Sequence, residues 1–272
     1  MNKAVVIVIV FVAQLLVAGE GEENNVVLKE NFDAATRSSF GKRLLAHPKI
    51  SLDKGTGTGG SDAIRVSYVG DERGSKRVIV LHPLNEKVIQ ATLSFDVRFS
   101  NDFQWTYGGK LHGLGPKRPI TGGAKRYPYG WSARVMFMQN GRCATYLYDQ
   151  DTTKKWGIGL TTKTPVFRAG QWHNVTLQVS LNDVGKSNGW ACILIDNQEV
   201  IKTENVEFRG TDADETLIQQ FLFSTFHGGN KPKWTPVDKE GNPTTVYAWF
   251  DNLEVKTGIQ PGKSSVRDKP RR

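Results

Sequence analysis

Five residues in the middle of the chain have side chains that could act together on an acidic substrate. They are Lys110, Ser132, Arg134, Tyr146 and Tyr148. A guanidinium is a planar fork that matches a carboxylate. Lysine and tyrosine start with a pKa near ~10, so neighbouring positive charge, or burial in the case of lysine, must tune them before they move protons at neutral pH. The set favours proton transfer beside a carboxylate, provided that the fold brings the five residues together.

Four of the five lie in a predicted β-hairpin, residues 131–148, whose two alternating runs flank the turn signal Asn140-Gly141. A two-residue type I′ loop would place the arginine and the tyrosines on opposite faces. A three-residue loop, a type I turn followed by a left-handed Gly141, sets Arg134 opposite Tyr146 and the serine opposite Tyr148. We prefer the three-residue loop, because it separates the polar face of the hairpin from the apolar face.

Other kinds of site fit these residues less well. Glycoside hydrolysis needs two carboxylates, and the first acids after the hairpin strands are Asp149 and Asp151. A serine triad of Ser132 with His112 or His173 lacks the nucleophile-elbow pattern. A non-catalytic alternative remains: the polar residues could simply form a solvated sheet face with a cross-strand Arg–Tyr pair. Basic residues with tyrosine favour β-elimination on a uronic acid, in which C5 loses a proton, the bond to O4 breaks and charge spreads into the C6 carboxylate.

The first 19 residues are predicted to be a secretory signal. Lys3 precedes an apolar run, and Val17-Ala18-Gly19 supplies a small-residue cleavage site. The run is short for a membrane span, which makes an uncleaved anchor the weaker alternative. We therefore expect a secreted, extracellular monomer that is not held at a membrane.

The net charge of +9 favours an acidic polysaccharide as the partner rather than nucleic acid, given the export signal. Cys143 and Cys192 are the two cysteines of the sequence. They allow one disulfide at most, and a pair of buried free thiols is the alternative.

Many short alternating strands between Gly, Asn and Asp turns predict an all-β fold, a two-sheet antiparallel β-jelly roll or sandwich with a concave substrate groove. The clearest strand is 90–99, with alternate apolar residues on one side. Residues 33–45 are predicted to be a loop, and helical periodicity is limited to 212–220. One domain is predicted over 20–255, followed by a basic, disordered tail over 256–272.

Six short motifs follow one another along the chain. They are Gly-Gly-Lys-Leu-His-Gly-Leu at 108–114, Gly-Trp-Ser-Ala-Arg-Val-Met at 130–136, Tyr-Leu-Tyr at 146–148, Gly-Gln-Trp-His at 170–173, Phe-Ser-Thr-Phe-His-Gly-Gly at 223–229 and Ala-Trp-Phe-Asp-Asn-Leu at 248–253. Together they resemble the alginate lyases of polysaccharide lyase family 14. The resemblance implies endolytic β-elimination of a polyuronate without a metal or organic cofactor. We expect poly(mannuronate) to be preferred, although the residues do not distinguish mannuronate from guluronate. A glucuronan lyase and a non-catalytic jelly-roll protein that binds acidic polysaccharide are the alternatives.

By position, the resemblance assigns catalytic roles to Lys110, Arg134, Tyr146 and Tyr148. Arg134 would neutralise the carboxylate, and the lysine would be the base or a second neutralising group, with either tyrosine moving protons. Substrate-binding roles fall on Ser132, which positions the sugar, and on His112, Trp131 and His227. The two histidines stand where many relatives carry proline and an aromatic residue, which bears on substrate choice; both could equally be plain loop residues.

Overall fold

The chain forms two antiparallel β-sheets that face each other across one hydrophobic core. The structure, a computed structural model, describes residues 25–260. The strands are β1 (Val26–Glu30), β2 (Ile50–Asp53), β3 (Ala63–Asp71), β4 (Gly74–Ser75), β5 (Val78–Val88), β6 (Gln90–Phe99), β7 (Gly108–Gly115), β8 (Ser132–Met138), β9 (Arg142–Tyr148), β10 (Trp172–Ser180), β11 (Gly189–Ile195), β12 (Gln198–Val206), β13 (Ile218–His227) and β14 (Thr245–Thr257). A short helix, α1 (Ser39–Leu45), lies between β1 and β2.

The larger sheet follows the order β12-β11-β10-β6-β14-β3-β2, with β1 beside β14 and β4 beside β3. The smaller sheet has five strands in the order β5-β13-β7-β8-β9. Neighbouring strands are far apart in sequence at several places, as where β14 lies between β3 and β6. The predicted all-β, two-sheet antiparallel architecture is confirmed.

Alternation along β6 builds the centre of the core. Ala91, Leu93, Phe95, Val97 and Phe99 are each at most 1% exposed, as predicted for this strand. Their partners come from the inner face of the five-stranded sheet. Fully burying one such apolar side chain contributes roughly 1.5–3 kcal/mol, so the two inner faces hold the sheets together and leave the outer faces available for other functions.

Two predictions of local structure are wrong. Residues 39–45 form helix α1 rather than a loop; Ser38 caps it by accepting the N–H of Gly41 at 3.1 Å. Seven residues are too few for a helical period to be recognised in the sequence. Residues 212–220 form one 3₁₀ turn at Asp214–Thr216 and the start of β13 instead of a helix.

The C-terminal boundary also differs from the prediction. Strand β14 continues to Thr257, and Gln260 donates its backbone N–H to the Thr92 hydroxyl at 3.0 Å. The predicted signal, residues 1–19, and the remainder of the predicted tail, 261–272, lie outside the described residues. In the part that is described, Cys143 and Cys192 are both buried and unbridged, and no helix there is long and apolar enough to span a bilayer.

Candidate active site

The outer face of the five-stranded sheet carries the residues that were predicted to do chemistry. The pairing of β8 with β9 sets Arg134 opposite Tyr146 and Ser132 opposite Tyr148. The register predicted from the hairpin sequence is therefore confirmed. Lys110 on the neighbouring strand β7 faces the same way, with its Nζ 4.7 Å from the centre of the Tyr146 ring.

The hairpin loop has the three residues that were predicted, but its turn is different. Asn140 (φ 61°) and Gly141 (φ 72°) both adopt left-handed backbone conformations. A type I turn before a bulge needs that conformation at the glycine alone. Asparagine enters the left-handed region more readily than most residues, so the register is kept with a different turn.

Arg134 lies across the centre of this face, over β7. An added Cβ at Gly113 would lie 2.5 Å from the arginine Cγ, so the missing side chain makes room for it. Arg134 is only 4% exposed. Burial lowers the pKa of its guanidinium, but a guanidinium starts so high that it stays charged.

No carboxylate within residues 25–260 forms an ion pair with Arg134 or with Lys110. Arg134 Nε is also buried without a hydrogen-bond partner. A buried cation is costly unless an anion compensates it. The arrangement therefore makes this face suited to binding an anionic group.

Lys110 is half-buried beside other cations. Burial first, then the charges of Arg134 and Arg77, lower the pKa of Lys110 to about 7. The side chain lies between the Tyr146 ring and the Trp234 ring, whose centre is 5.9 Å from Nζ. A lysine with this pKa is partly neutral at neutral pH, so it can accept a proton.

The two tyrosines form a hydrogen-bonded pair with different exposures. Their hydroxyl oxygens are 3.2 Å apart, and the Gly123 N–H donates to the Tyr148 oxygen at 2.8 Å. Because Tyr148 already accepts that bond, its own proton is free to point at Tyr146. Tyr148 is fully buried, whereas Tyr146 is partly exposed. Burial raises the pKa of Tyr146, so its hydroxyl stays protonated at neutral pH and can give its proton to a leaving group.

The loop 116–131 covers one end of this face. Ser132 is fully buried and donates to the Ile120 carbonyl at 2.7 Å, which ties the loop to the sheet. The Arg126 guanidinium of the same loop lies 4.3 Å from the centre of the Tyr148 ring. The structure thus places Ser132 as an anchor for the loop, and not as the sugar ligand that was predicted.

The loop 228–237 lies at the other side of Lys110. Its Trp234 carbonyl accepts a bond from Thr106 at 3.1 Å. At Gly228, an added Cβ would lie 2.9 Å from Lys110 Nζ, so this glycine leaves space for the ammonium. We refer to the outer face of β7, β8 and β9 between the loops 116–131 and 228–237 as the cleft.

The prediction that His112 binds substrate is wrong for this structure, since the side chain is fully buried. Its ring stacks on Phe223 at 4.2 Å, and burial lowers its pKa to about 3. The cause is a β-bulge: Lys110 pairs with Met136 but Gly113 pairs with Arg134. Strand β7 thus has one extra residue, and two successive side chains face the core.

Trp131 and His227 are also core residues and not substrate ligands. Trp131 is fully buried and donates its indole N–H to the Thr216 carbonyl at 2.7 Å. His227 is 1% exposed and donates Nε2–H to the Gln104 carbonyl at 2.6 Å. Burial lowers the pKa of His227 to about 4. Alternation from the outward-facing Phe226 places this histidine on the inner face.

Several residues around the cleft were not recognised in the sequence. Arg77, Phe226 and Trp234 lie beside the predicted residues although they are distant from them along the chain. Arg126, six positions before Ser132, lies over the Tyr148 ring. The alternation of Phe226 with inward-facing neighbours was a usable signal, but loop residues such as Arg126 and Trp234 have none. Within residues 25–260, His, Cys, Asp and Glu side chains form no cluster of three that could hold a metal ion.

The fold and the cleft define a class of protein, a β-sandwich with unpaired cations and tyrosines on the outer face of one sheet. Residues 65–253 match the family model described as Polysaccharide lyase 14. The chain therefore belongs to polysaccharide lyase family 14 and is a polysaccharide lyase, which confirms the resemblance drawn from the motifs. No curated protein matches this sequence.

Solved structures show the same jelly-roll fold. Alginate lyase Aly36B superposes with a TM-score of 0.68 at 21% identity, covering 86% of this chain and 98% of that one; a variant of Aly36B has been solved in complex with an alginate tetrasaccharide. The marine alginate lyase of Aplysia kurodai gives 0.65 at 24% identity, covering 85% and 99%. The endo-β-1,4-glucuronan lyase of the fungus Trichoderma reesei gives 0.56 at 17% identity, covering 78% and 88%.

Proposed function

We propose that this polysaccharide lyase is an endolytic alginate lyase that cleaves the 4-O-glycosidic bond by β-elimination. The observation that carries the proposal is the cleft's charge: Arg134 and Lys110 are cations without acidic partners among the described residues. A polyuronate supplies one carboxylate per sugar. Its carboxylate would compensate the buried charge that the fold leaves unpaired.

Arg134 is the group that neutralises the C6 carboxylate. Removing the proton from C5 spreads negative charge into that carboxylate, and a donor fixed in advance stabilises this charge better than water does. The stem of Arg134 lies over Gly113, and the guanidinium carbon lies 5.4 Å from the centre of the Tyr146 ring. The guanidinium therefore loses little freedom when the sugar binds.

Lys110 and Tyr146 are the base and the acid. Neutral Lys110 Nζ takes the proton from C5, and the electron pair of the C5–H bond forms the C4–C5 double bond. The C4–O4 bond breaks, and the Tyr146 hydroxyl gives its proton to the leaving O4. The products are an unsaturated uronate at the new non-reducing end and a free hydroxyl on the other fragment. Tyr148 donates to Tyr146 and so orients its proton, which makes Tyr148 a positioning residue.

The closeness of base and acid supports a preference for mannuronate. Lys110 Nζ and the Tyr146 ring are 4.7 Å apart on one side of the cleft, so both groups reach the sugar from the same face. In mannuronate the C5 hydrogen and O4 lie on the same side of the ring, whereas in guluronate they lie on opposite sides. Glucuronate has the same arrangement as mannuronate at these carbons, and this favours glucuronan as the second candidate substrate.

An endolytic mode is supported by the cleft's open continuation toward strand β5. Beyond Lys110 the outer face extends to this edge strand, where Ile79 and Leu81 are exposed. No described loop closes over them. A polymer can therefore bind at an internal position instead of entering by one end.

The test is a panel of poly(mannuronate), poly(guluronate) and glucuronan, followed by ultraviolet absorbance of the unsaturated product. We expect the highest rate on poly(mannuronate), with a rapid fall in viscosity and oligosaccharides of mixed size. Accumulation of one small product from the start would contradict the endolytic mode. A higher rate on glucuronan would make glucuronan the substrate.

Two variants test the assigned roles. Lys110→Ala and Tyr146→Phe should each lower kcat by about 10³-fold or more, because each removes a proton-transfer group. Lys202→Ala and Tyr247→Phe are matched controls; each residue makes a cation–π contact of 5.2 Å on the larger sheet. Near-normal rates in Lys110→Ala and Tyr146→Phe would remove the assignment.

A non-catalytic module for acidic polysaccharide would give a different pattern. It would be retained on immobilised alginate but would release no unsaturated product from any polyuronate. Binding does not require a lysine with a pKa of about 7, and this favours the lyase.

We also propose that the protein is secreted, as expected from residues 1–19. N-terminal sequencing of protein recovered from the culture medium of an expressing cell should begin at Glu20. A cell-retained product that still begins at Met1 would reject the proposal.

A further inference from the structure

The edge strand β5 presents an exposed apolar surface on the same side of the sheet as the cleft. Val78 is fully buried in the core, so alternation turns Ile79 and Leu81 to the outer face. They are 47% and 45% exposed. Two large apolar side chains on the same face of an exposed edge offer an apolar contact surface beside the cleft.

Arg77 precedes this strand and is also exposed. Its guanidinium lies 5.6 Å from the centre of the Phe226 ring, and Lys110 Nζ lies 6.0 Å from the same centre. Phe226 pairs with Lys110 across β13 and β7. A row of cation, aromatic ring and cation therefore joins the edge to the cleft.

The Arg77 guanidinium forms no ion pair with any residue between 25 and 260. The neighbouring Lys76, in contrast, pairs with Asp71 at 2.7 Å. The two cations are adjacent in sequence, but only Arg77 has its donors available. A free guanidinium fork beside an apolar floor suits a planar carboxylate on a sugar whose C–H face needs an apolar contact.

We propose that Arg77, Ile79, Leu81 and Phe226 form a second uronate subsite, the edge subsite, which binds the sugar next to the one that is cleaved. This inference rests on the proposed function, because it gives the same polymer a second point of attachment. Strands β5 and β7 are two steps apart in the sheet, or roughly 10 Å. A polymer that occupies both sites therefore runs across the strands from β7 to β5. Productive binding needs consecutive uronates.

Arg77 also acts on the base through space. The charged or titratable groups facing Lys110 are Arg134 on β8, Tyr146 on β9 and Arg77 itself. Removing the charge of Arg77 raises the pKa of the lysine. The low-pH side of the kcat/KM profile, its acid limb, should then move to higher pH. A merely structural role for Arg77 would not produce this shift.

The experiment compares Arg77→Gln with Lys76→Gln, its matched neighbour. We expect Arg77→Gln to raise KM on poly(mannuronate) about 10-fold and to shift the acid limb upward by several tenths of a pH unit. Lys76→Gln should behave as the wild type in both measurements, since an exposed ion pair contributes little. Leu81→Ser should raise KM without moving the acid limb.

Binding is measured separately, by retardation in gels that contain poly(mannuronate), with every variant also carrying Lys110→Ala. If the wild type cleaves the polymer but Arg77→Gln matches Lys76→Gln in KM, acid limb and retardation, the edge subsite is overturned and the lyase stands. If no polyuronate is cleaved yet Arg77→Gln still weakens retardation, the proposed function fails and the edge subsite stands.

Discussion

Lys110 should destabilise the fold in which it works, by an amount that depends on pH. Lowering its pKa from 10.5 to about 7 disfavours the charged form by about 3 to 5 kcal/mol, at about 1.4 kcal/mol per unit. Below the folded pKa the lysine is protonated in both folded and unfolded chains, so the whole cost is present. Between the two pKa values the unfolded chain binds more protons, so stability rises with pH until the cost is gone.

Replacing Lys110 with methionine removes the charge at similar length and gives up a cation–π contact of about 1 kcal/mol. We expect Lys110→Met to raise the free energy of unfolding by about 2 to 4 kcal/mol at about pH 6, and by about a third of that near pH 9.5. With an m-value of about 2–3 kcal/mol/M in urea, the midpoint at the lower pH moves up by about 1–2 M.

Urea unfolding followed by tryptophan fluorescence measures this shift at both pH values. Lys239→Met is the control, because Lys239 is exposed in the turn that follows Asp238 and its replacement should leave the midpoint nearly unchanged. Equal midpoints for Lys110→Met and the wild type at both pH values, or a gain that grows as pH rises, would refute the reasoning.

Three further outcomes are expected. Tyr148→Phe removes the hydroxyl that orients Tyr146 and should lower kcat about 10- to 100-fold with little change in KM. A rise in KM as large as the fall in kcat would contradict a positioning role. Gly228→Ala, whose Cβ would lie 2.9 Å from Lys110 Nζ, should lower kcat about 10-fold or more while urea unfolding stays close to wild type. Ser132→Ala leaves a buried carbonyl of the covering loop without its donor and should cost about 1–3 kcal/mol of stability; an unchanged urea midpoint would show that the loop is held by other contacts.

The hairpin was predictable because alternation and loop length act locally. Separating polar from apolar residues required Arg134 to lie opposite Tyr146, and the pairing is as expected. The core strand β6 was predictable for the same reason. The turn at Asn140 was not, since two loop conformations serve the same register equally well.

The residues that were wrongly predicted to bind substrate were misplaced for one physical reason. Strand alternation fails at a bulge, and a sequence motif does not reveal which way a side chain points. His112 looked like a cleft residue because it lies two positions after Lys110, but the bulge turns it inward. Arg77 was missed for the opposite reason. Its contact with Phe226 joins residues about half a chain apart, and only the packing of strands that are distant in sequence creates it.

The extra residue in β7 makes the reaction centre sensitive to chain length as well as to side-chain identity. Lys110 and Gly113 share a face although three positions separate them, because Leu111 and His112 both point inward. Deleting either one would restore regular pairing with β8 and keep Lys110 outward there. It would also remove a buried core side chain. The mismatch with β13, where Leu222 pairs with Gly113 and Phe226 with Lys110, would grow from one residue to two, so the ammonium would shift away from its place beside Phe226. In a directed-evolution library, single-codon deletions at these two positions should therefore be depleted as strongly as loss of the lysine.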